Sequence, residues 1–128
     1  MNPGGVFIMV GDRYVRILLP RVLYFQAEGD LVRMVSMDTE MECRASLESI
    51  RRILPEGDFC QVHPLYIVST NKIIDFDEYS VSLPGISIPV DRSFRKQFYA
   101  RCLFFSDILG KPGPNSFYID WDGELQSH

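Results

Sequence analysis

The chain has little from which to build a catalytic centre. Of its 128 residues only two are histidine, His63 and the terminal His128. A Ser-His-Asp or Cys-His device would therefore have to be organised on His63. Cysteine is scarce too: Cys43, Cys60 and Cys102 are odd in number and lack framework spacing. They read as buried free thiols in a reducing cytosol. Cys60 and His63 stand three apart, a spacing that resembles metal ligation. On an extended strand, however, positions i and i+3 face opposite sides, and no second pair exists to complete a shell. Gly4-Gly5 and Gly110 to Gly113 match neither the Walker nor the dinucleotide pattern. The acid pairs Glu40/Glu42 and Asp75/Asp77 read as solvated strand faces. The expectation is no enzyme, no metal site and no cofactor.

Other absences narrow the class further. No apolar run approaches the ~20 residues of a membrane helix. The opening Met-Asn-Pro-Gly-Gly has no basic stretch of the kind that begins a secretory signal, so a cytoplasmic protein is expected. A surplus of cations is also missing, with 13 Lys+Arg against 17 Asp+Glu and a net charge of −4. That balance weighs against a nucleic-acid partner, because phosphates are usually neutralised by excess Lys and Arg. Its distribution matters more than its sum. From Asp107 onward four acids (Asp107, Asp120, Asp122 and Glu124) stand against Lys111, a net −3 that leaves −1 for the rest. A local basic face is thus compatible with the total.

What is present points to one folded domain. Hydrophobic residues make up 46% of the chain, charged residues 23%, and there are 9 Phe and 6 Tyr. A chain of this length and composition buries a core and is not disordered.

The pattern along the chain is one of short strands. Val6 to Val10, Tyr14 to Leu19, Val22 to Ala27, Leu31 to Met37 and Glu40 to Arg44 read as strands. Glu28-Gly29-Asp30 is a hairpin turn in which glycine can take positive φ. Ser46 caps a short helix carrying Leu47, Ile50, Ile53 and Leu54 at helical spacing, and Pro55-Glu56-Gly57-Asp58 ends it. Further strands are expected at about 62–68, 72–77, 79–83 and 86–90, with Leu83-Pro84-Gly85 as a turn. His63-Pro64 interrupts the apolar run at a strand entrance, since proline lacks an N–H and keeps His63 extended. Asp91 is a good N-cap for a second helix from Arg92 to about Phe105. That helix places Phe94, Phe98, Cys102 and Phe105 on one face and Arg92, Arg95 and Lys96 on a stripe beside it. Residues 110–115 are a linker by composition, and 117–121 alternate like one more strand.

Two phrases carry a family resemblance. Phe59-x-x-Val62-His63-x-x-Tyr66-Ile67-Val68 with Ile73, followed by Ile88-Pro89-Val90-x-Arg92-x-Phe94, resembles the LytTR family of bacterial DNA-binding domains, mostly output modules of response regulators in two-component systems. Val22-Leu-Tyr-Phe-Gln-Ala-Glu-Gly-Asp30 is similar to the family's first hairpin, and Ser46-Leu-Glu-Ser-Ile50 to its short helix. The resemblance covers roughly residues 12 to 105. It implies a mainly β fold, an elongated antiparallel arrangement of small sheets with two short helices. The chain then divides into a DNA-binding domain, 1–109, and a linker with an acidic aromatic tail, 110–128.

The resemblance also implies a function: transcription regulation through double-stranded DNA, read in the major groove by loops. It assigns contacts to three places, which fall here on Val32 with neighbouring Arg33, on His63-Pro64, and on Arg92. Of these, Arg92 keeps the fork of donors suited to guanine. Val32 is apolar, Pro64 stands where Arg or Asn is usual, Ser69 where Asn is common, and Asp91 where Ser is more usual. Asp91 either caps the helix or pairs with Arg92. Arg95 and Lys96 would grip phosphate, and His63 would touch phosphate or bond to neighbouring backbone. Arg51 and Arg52 read as a solvated helix face. Paired DNA sites and a homodimer on them follow from the resemblance alone. The alternative is a protein-interaction module that keeps the fold and has lost sequence-specific DNA binding, with residues 117–124 docking on a partner or on the basic stripe. A receiver domain needs roughly its own ~100 residues, so the chain is either a fragment of a longer regulator or is controlled elsewhere.

Overall fold

A computed structural model describes residues 5–102, together with the backbone of 117–119 and 125–127. Its centre is a five-stranded antiparallel sheet made of β3 (Val22–Glu28), β4 (Leu31–Ser36), β5 (Glu40–Arg44), β6 (Phe59–His63) and β7 (Tyr66–Ser69), in the order β5-β4-β3-β7-β6. A ribbon of β1 (Val6–Val10) and β2 (Arg13–Ile17) precedes it. A three-stranded sheet of β8 (Asp75–Phe76), β9 (Ser80–Leu83) and β10 (Ile86–Pro89) follows. Helices α1 (Leu47–Ile53) and α2 (Arg92–Tyr99) complete a mostly β domain of small antiparallel sheets, as expected. Gly29 (φ 62°) and Gly85 (φ 81°) take the left-handed conformation in the two expected turns.

Both faces of the large sheet are covered. Because side chains alternate along a strand, Phe25, Val32, Met34, Cys43 and Ile67 pack with Leu47, Ile50 and Leu54 around α1. Tyr24, Cys60, Val62 and Val68 form a second core with Val81, Leu83, Ile88 and, from α2, Phe98 and Tyr99. Each large side chain so buried contributes about 1.5–3 kcal/mol. Phe98, fully buried, meets Phe76 edge-on at 4.8 Å.

Several expected boundaries move. The strand expected at 62–68 is two strands, with the chain reversing at Pro64-Leu65. Proline at an exposed turn has no ladder bond to lose. Residues 70–72 form a 3-10 turn, so the strand expected at 72–77 shrinks to β8. Helix α2 ends at Tyr99, not near Phe105: the Arg101 and Cys102 N–H groups reach back three residues, to Phe98 and Tyr99, and tighten the end. Its buried face is Arg95, Phe98 and Tyr99, and Phe94 is only half-buried. On α1, Ile53 is exposed and Leu54 takes the core position. Phe105 and the linker at 110–115 lie outside the described residues. Of the strand expected at 117–121, Phe117–Ile119 is a strand, and it pairs antiparallel with Leu125–Ser127.

Candidate nucleic-acid interface

Strand register sets one row of side chains across the large sheet. Arg33 lies opposite Glu42 and Gln26, Gln26 opposite Tyr66, and Tyr66 opposite His63. Directly opposed residues of antiparallel strands share a face and touch. Arg33 is tied into this row. Its Nη2 donates to Gln26 Oε1, its Nη1 donates to Glu40 Oε1 at 3.3 Å, and Glu28 Oε2 lies 3.8 Å away. The guanidinium is thereby fixed, with two carboxylates offsetting its charge. At the other end the His63 ring stands edge-on to Tyr66, 5.5 Å between centroids. Its Nδ1 accepts the Leu65 N–H at 3.1 Å. In the neutral ring that leaves the proton on Nε2, a donor.

A bulge brings the second helix to this edge. The register of β6 on β7 skips between Gln61 and His63, so Val62 is an extra residue. Val62 enters the second core, and its carbonyl accepts the Asp91 N–H at 2.8 Å. Asp91 is the N-cap of α2, and its carboxylate accepts from both the hydroxyl and the N–H of Ser93, the latter at 3.0 Å. Those bonds, aided by the nearby charge of Arg95, hold the Asp91 carboxyl below the usual carboxylate range. Arg92 follows immediately, exposed at the first helical position, and Lys96 lies one turn on, also exposed. The start of α2, with Arg92, is therefore fastened to the bulged end of β6 that leads into His63.

The sequence profile of the LytTr DNA-binding domain matches residues 12–102. The chain belongs to the LytTR family. The family is one of DNA-binding domains, so DNA is the class of partner. A solved chain described as the LytTr DNA-binding domain of a methyl-accepting/DNA response regulator from Bacillus cereus is similar in fold. It shares 20% identity at a TM-score of 0.68, over 78% of this chain and 97% of that one. No curated protein matches the sequence.

The LytTR frame does not place all the expected residues alike. Arg92 follows the cap bonded to Val62, the residue before His63, and Arg33 lies in the same cross-strand row as His63, whereas Pro64 lines a hollow with Ala27, Gly29 and Arg44. Two expectations are corrected. Val32 is 0% exposed, inside the first core, because it alternates with Arg33 and so faces the opposite side of β4. It touches no solvent and so has no access to a base. Arg95 is only 8% exposed, not on an open stripe, and its guanidinium lies over the Tyr79 ring at 5.5 Å. A cation on an aromatic face is a packing contact. Its Nε is buried with no hydrogen-bond partner among the described residues. Gln26 and Tyr66 escaped the sequence reading although both sit in the row. Gln26, a lone amide inside the apolar run 22–27, was the available signal. Among the described residues no cluster of His, Cys, Asp or Glu is arranged to hold a metal ion, and no helix is long and apolar enough to cross a membrane.

Proposed function

We propose that this LytTR domain serves a cytoplasmic transcriptional regulator, in the manner of a response-regulator output domain, and reads the major groove by its loops. The observation that supports the reading is the 2.8 Å bond from Asp91 N–H to Val62 O, which fastens the start of α2 to the strand end that precedes His63-Pro64. Arg92 is the base-reading fork, suited to guanine O6 and N7. His63 Nε2–H and Lys96 hold phosphates, and Arg33 adds its field where Glu28 and Glu40 allow. Pro64 shapes the turn. Residues 1–109 form the DNA-binding unit and 110–128 its tail, and paired sites would take two copies. With so few cations available, binding is weak and falls steeply with salt.

The test is fluorescence anisotropy on a randomised duplex pool at low and moderate salt, comparing wild type with Arg92→Ala. Selective binding that collapses in the variant supports a sequence reader. A specific observation favours the alternative, an interaction module without DNA specificity. Arg33 is already engaged by two acids, and the expected contact Val32 is buried. Absence of binding by either form at low salt would make that alternative the better reading.

A further inference from the structure

A cavity of about 310 Å³ opens between the end of α1, strand β6 and the end of α2, away from the row just described. Three arginines line it, Arg51, Arg52 and Arg101, against one acid, Glu56. Arg52 is held by Glu48 at 3.2 Å. Arg101 spends one N–H on the Phe59 carbonyl at 3.4 Å and keeps its other donors. Arg51 makes no ion pair among the described residues and is exposed. The amides of Gln61 and Gln97 add polar groups, and Leu54, Phe59 and Ile67 give an apolar floor. Burial raises the Cys60 thiol here to about 11, so at neutral pH Cys60 presents an S–H and adds no anion to that of Glu56.

We propose that this cleft binds a small organic oxyanion, a phosphate monoester or a carboxylate on a compact apolar body. Arg51 and Arg101 supply the planar donor forks that suit both groups. The floor takes the body, and the volume lies at the lower end of the ~300–1,000 Å³ usual for small-molecule sites. The site also reaches the β6–β7 turn. Gln61 Nε2 donates to the carbonyl of His63 at 3.2 Å and to that of Pro64 at 3.5 Å. A ligand that recruits the Gln61 amide pulls on that turn, and the Leu65 N–H bonded to His63 reports it. This holds whether or not the turn reads DNA.

The test is a heteronuclear NMR titration of the full chain at constant ionic strength. Phenyl phosphate and benzoate are the two anionic probes, with phenol as the uncharged control. The expected result is saturable shifts of the Gln61 and Gln97 side-chain amides with at least one anion and none with phenol. The Leu65 amide should move on the same curve. The stronger of the two probes identifies the oxyanion. Arg51 is exposed, so Arg51→Gln keeps the fold; it should weaken binding by about tenfold or more, the usual weight of a charge-assisted bond. Arg101→Gln should do the same. Shifts that rise linearly without saturation would overturn the proposal, as would an Arg51→Gln curve identical to wild type, which would leave Arg51 the lesser role of neutralising the carboxyl end of α1.

Discussion

The backbone N–H of Asp91 lies 2.8 Å from the carbonyl oxygen of Val62, and through this bond the start of α2 is fastened to the bulge in β6. The extra residue in the strand and the first turn of the helix are thus one unit. Arg92 inherits its position from that unit.

Arg92→Ala should erase discrimination between a selected and a scrambled duplex by about 1–3 kcal/mol. Lys96→Ala should weaken both duplexes alike and lower the slope of log affinity against log salt by about one. Anisotropy titrations at several salt concentrations separate the two effects. Equal losses on both duplexes for Arg92→Ala would remove it from base reading.

Glu28 and Glu40 restrain Arg33 from two sides. Neutralising both, as Glu28→Gln with Glu40→Gln, should raise affinity for any duplex and steepen its salt dependence. Circular dichroism would confirm an unchanged fold. Unaltered affinity would mean that Arg33 serves the sheet and not DNA.

Val32 is a core residue, so Val32→Thr should cost about 1–3 kcal/mol for a buried hydroxyl. Urea unfolding measures this directly. DNA affinity per folded molecule should be unchanged, because the side chain faces away from the row that holds Arg33.

Asp77 accepts the N–H groups of Tyr79 and Ser80 at 2.8 and 2.9 Å, which hold its carboxyl below the ordinary range. Its folded value lies below its unfolded one, so its stabilisation is present above the unfolded value of roughly 4. It is lost as pH falls through the folded value. Thermal melts from pH 6 to pH 2.5 should show a shallower decline for Asp77→Asn than for wild type. Parallel curves would contradict this assignment.

Cys60 should resist alkylation. Its burial keeps the thiol protonated, and the thiolate is the reacting species. Iodoacetamide at pH 7.5 should label Cys60 in the unfolded chain and leave it unlabelled in the native one, as peptide mass mapping will show. Rapid native labelling would mean that the cleft beside it opens.

Much of the placing of strands along the chain was legible before the structure. Val22 to Ala27 and Leu31 to Met37 have the right composition and flank a glycine turn, and Ser46 and Asp91 are short polar residues placed where helices begin. The limits of elements were less legible, for identifiable reasons. His63-Pro64 reads as an interruption of a strand, but whether the chain bends or reverses there depends on β7 finding both β6 and β3 as partners. Phe94 and Arg95 are neighbours on one helix. Which of them is buried depends on where Tyr79 waits, sixteen residues earlier in the chain.

Local chemistry in the sequence therefore determined a mostly β chain, its turns and helix caps, the absence of a catalytic signature and the phrases that mark the LytTR family. Those properties rest on residue type and near-neighbour spacing. Tertiary structure alone decided that Val32 turns inward while Arg33 joins Gln26, Tyr66 and His63, and that a bulge at Val62 receives the cap of α2. It also decided that Arg51 and Arg101, fifty positions apart, share one cleft. The physical reason is common to all three. Register, bulges and helix docking are settled by cross-strand bonds and by two cores packing at once, and no stretch of sequence contains both partners.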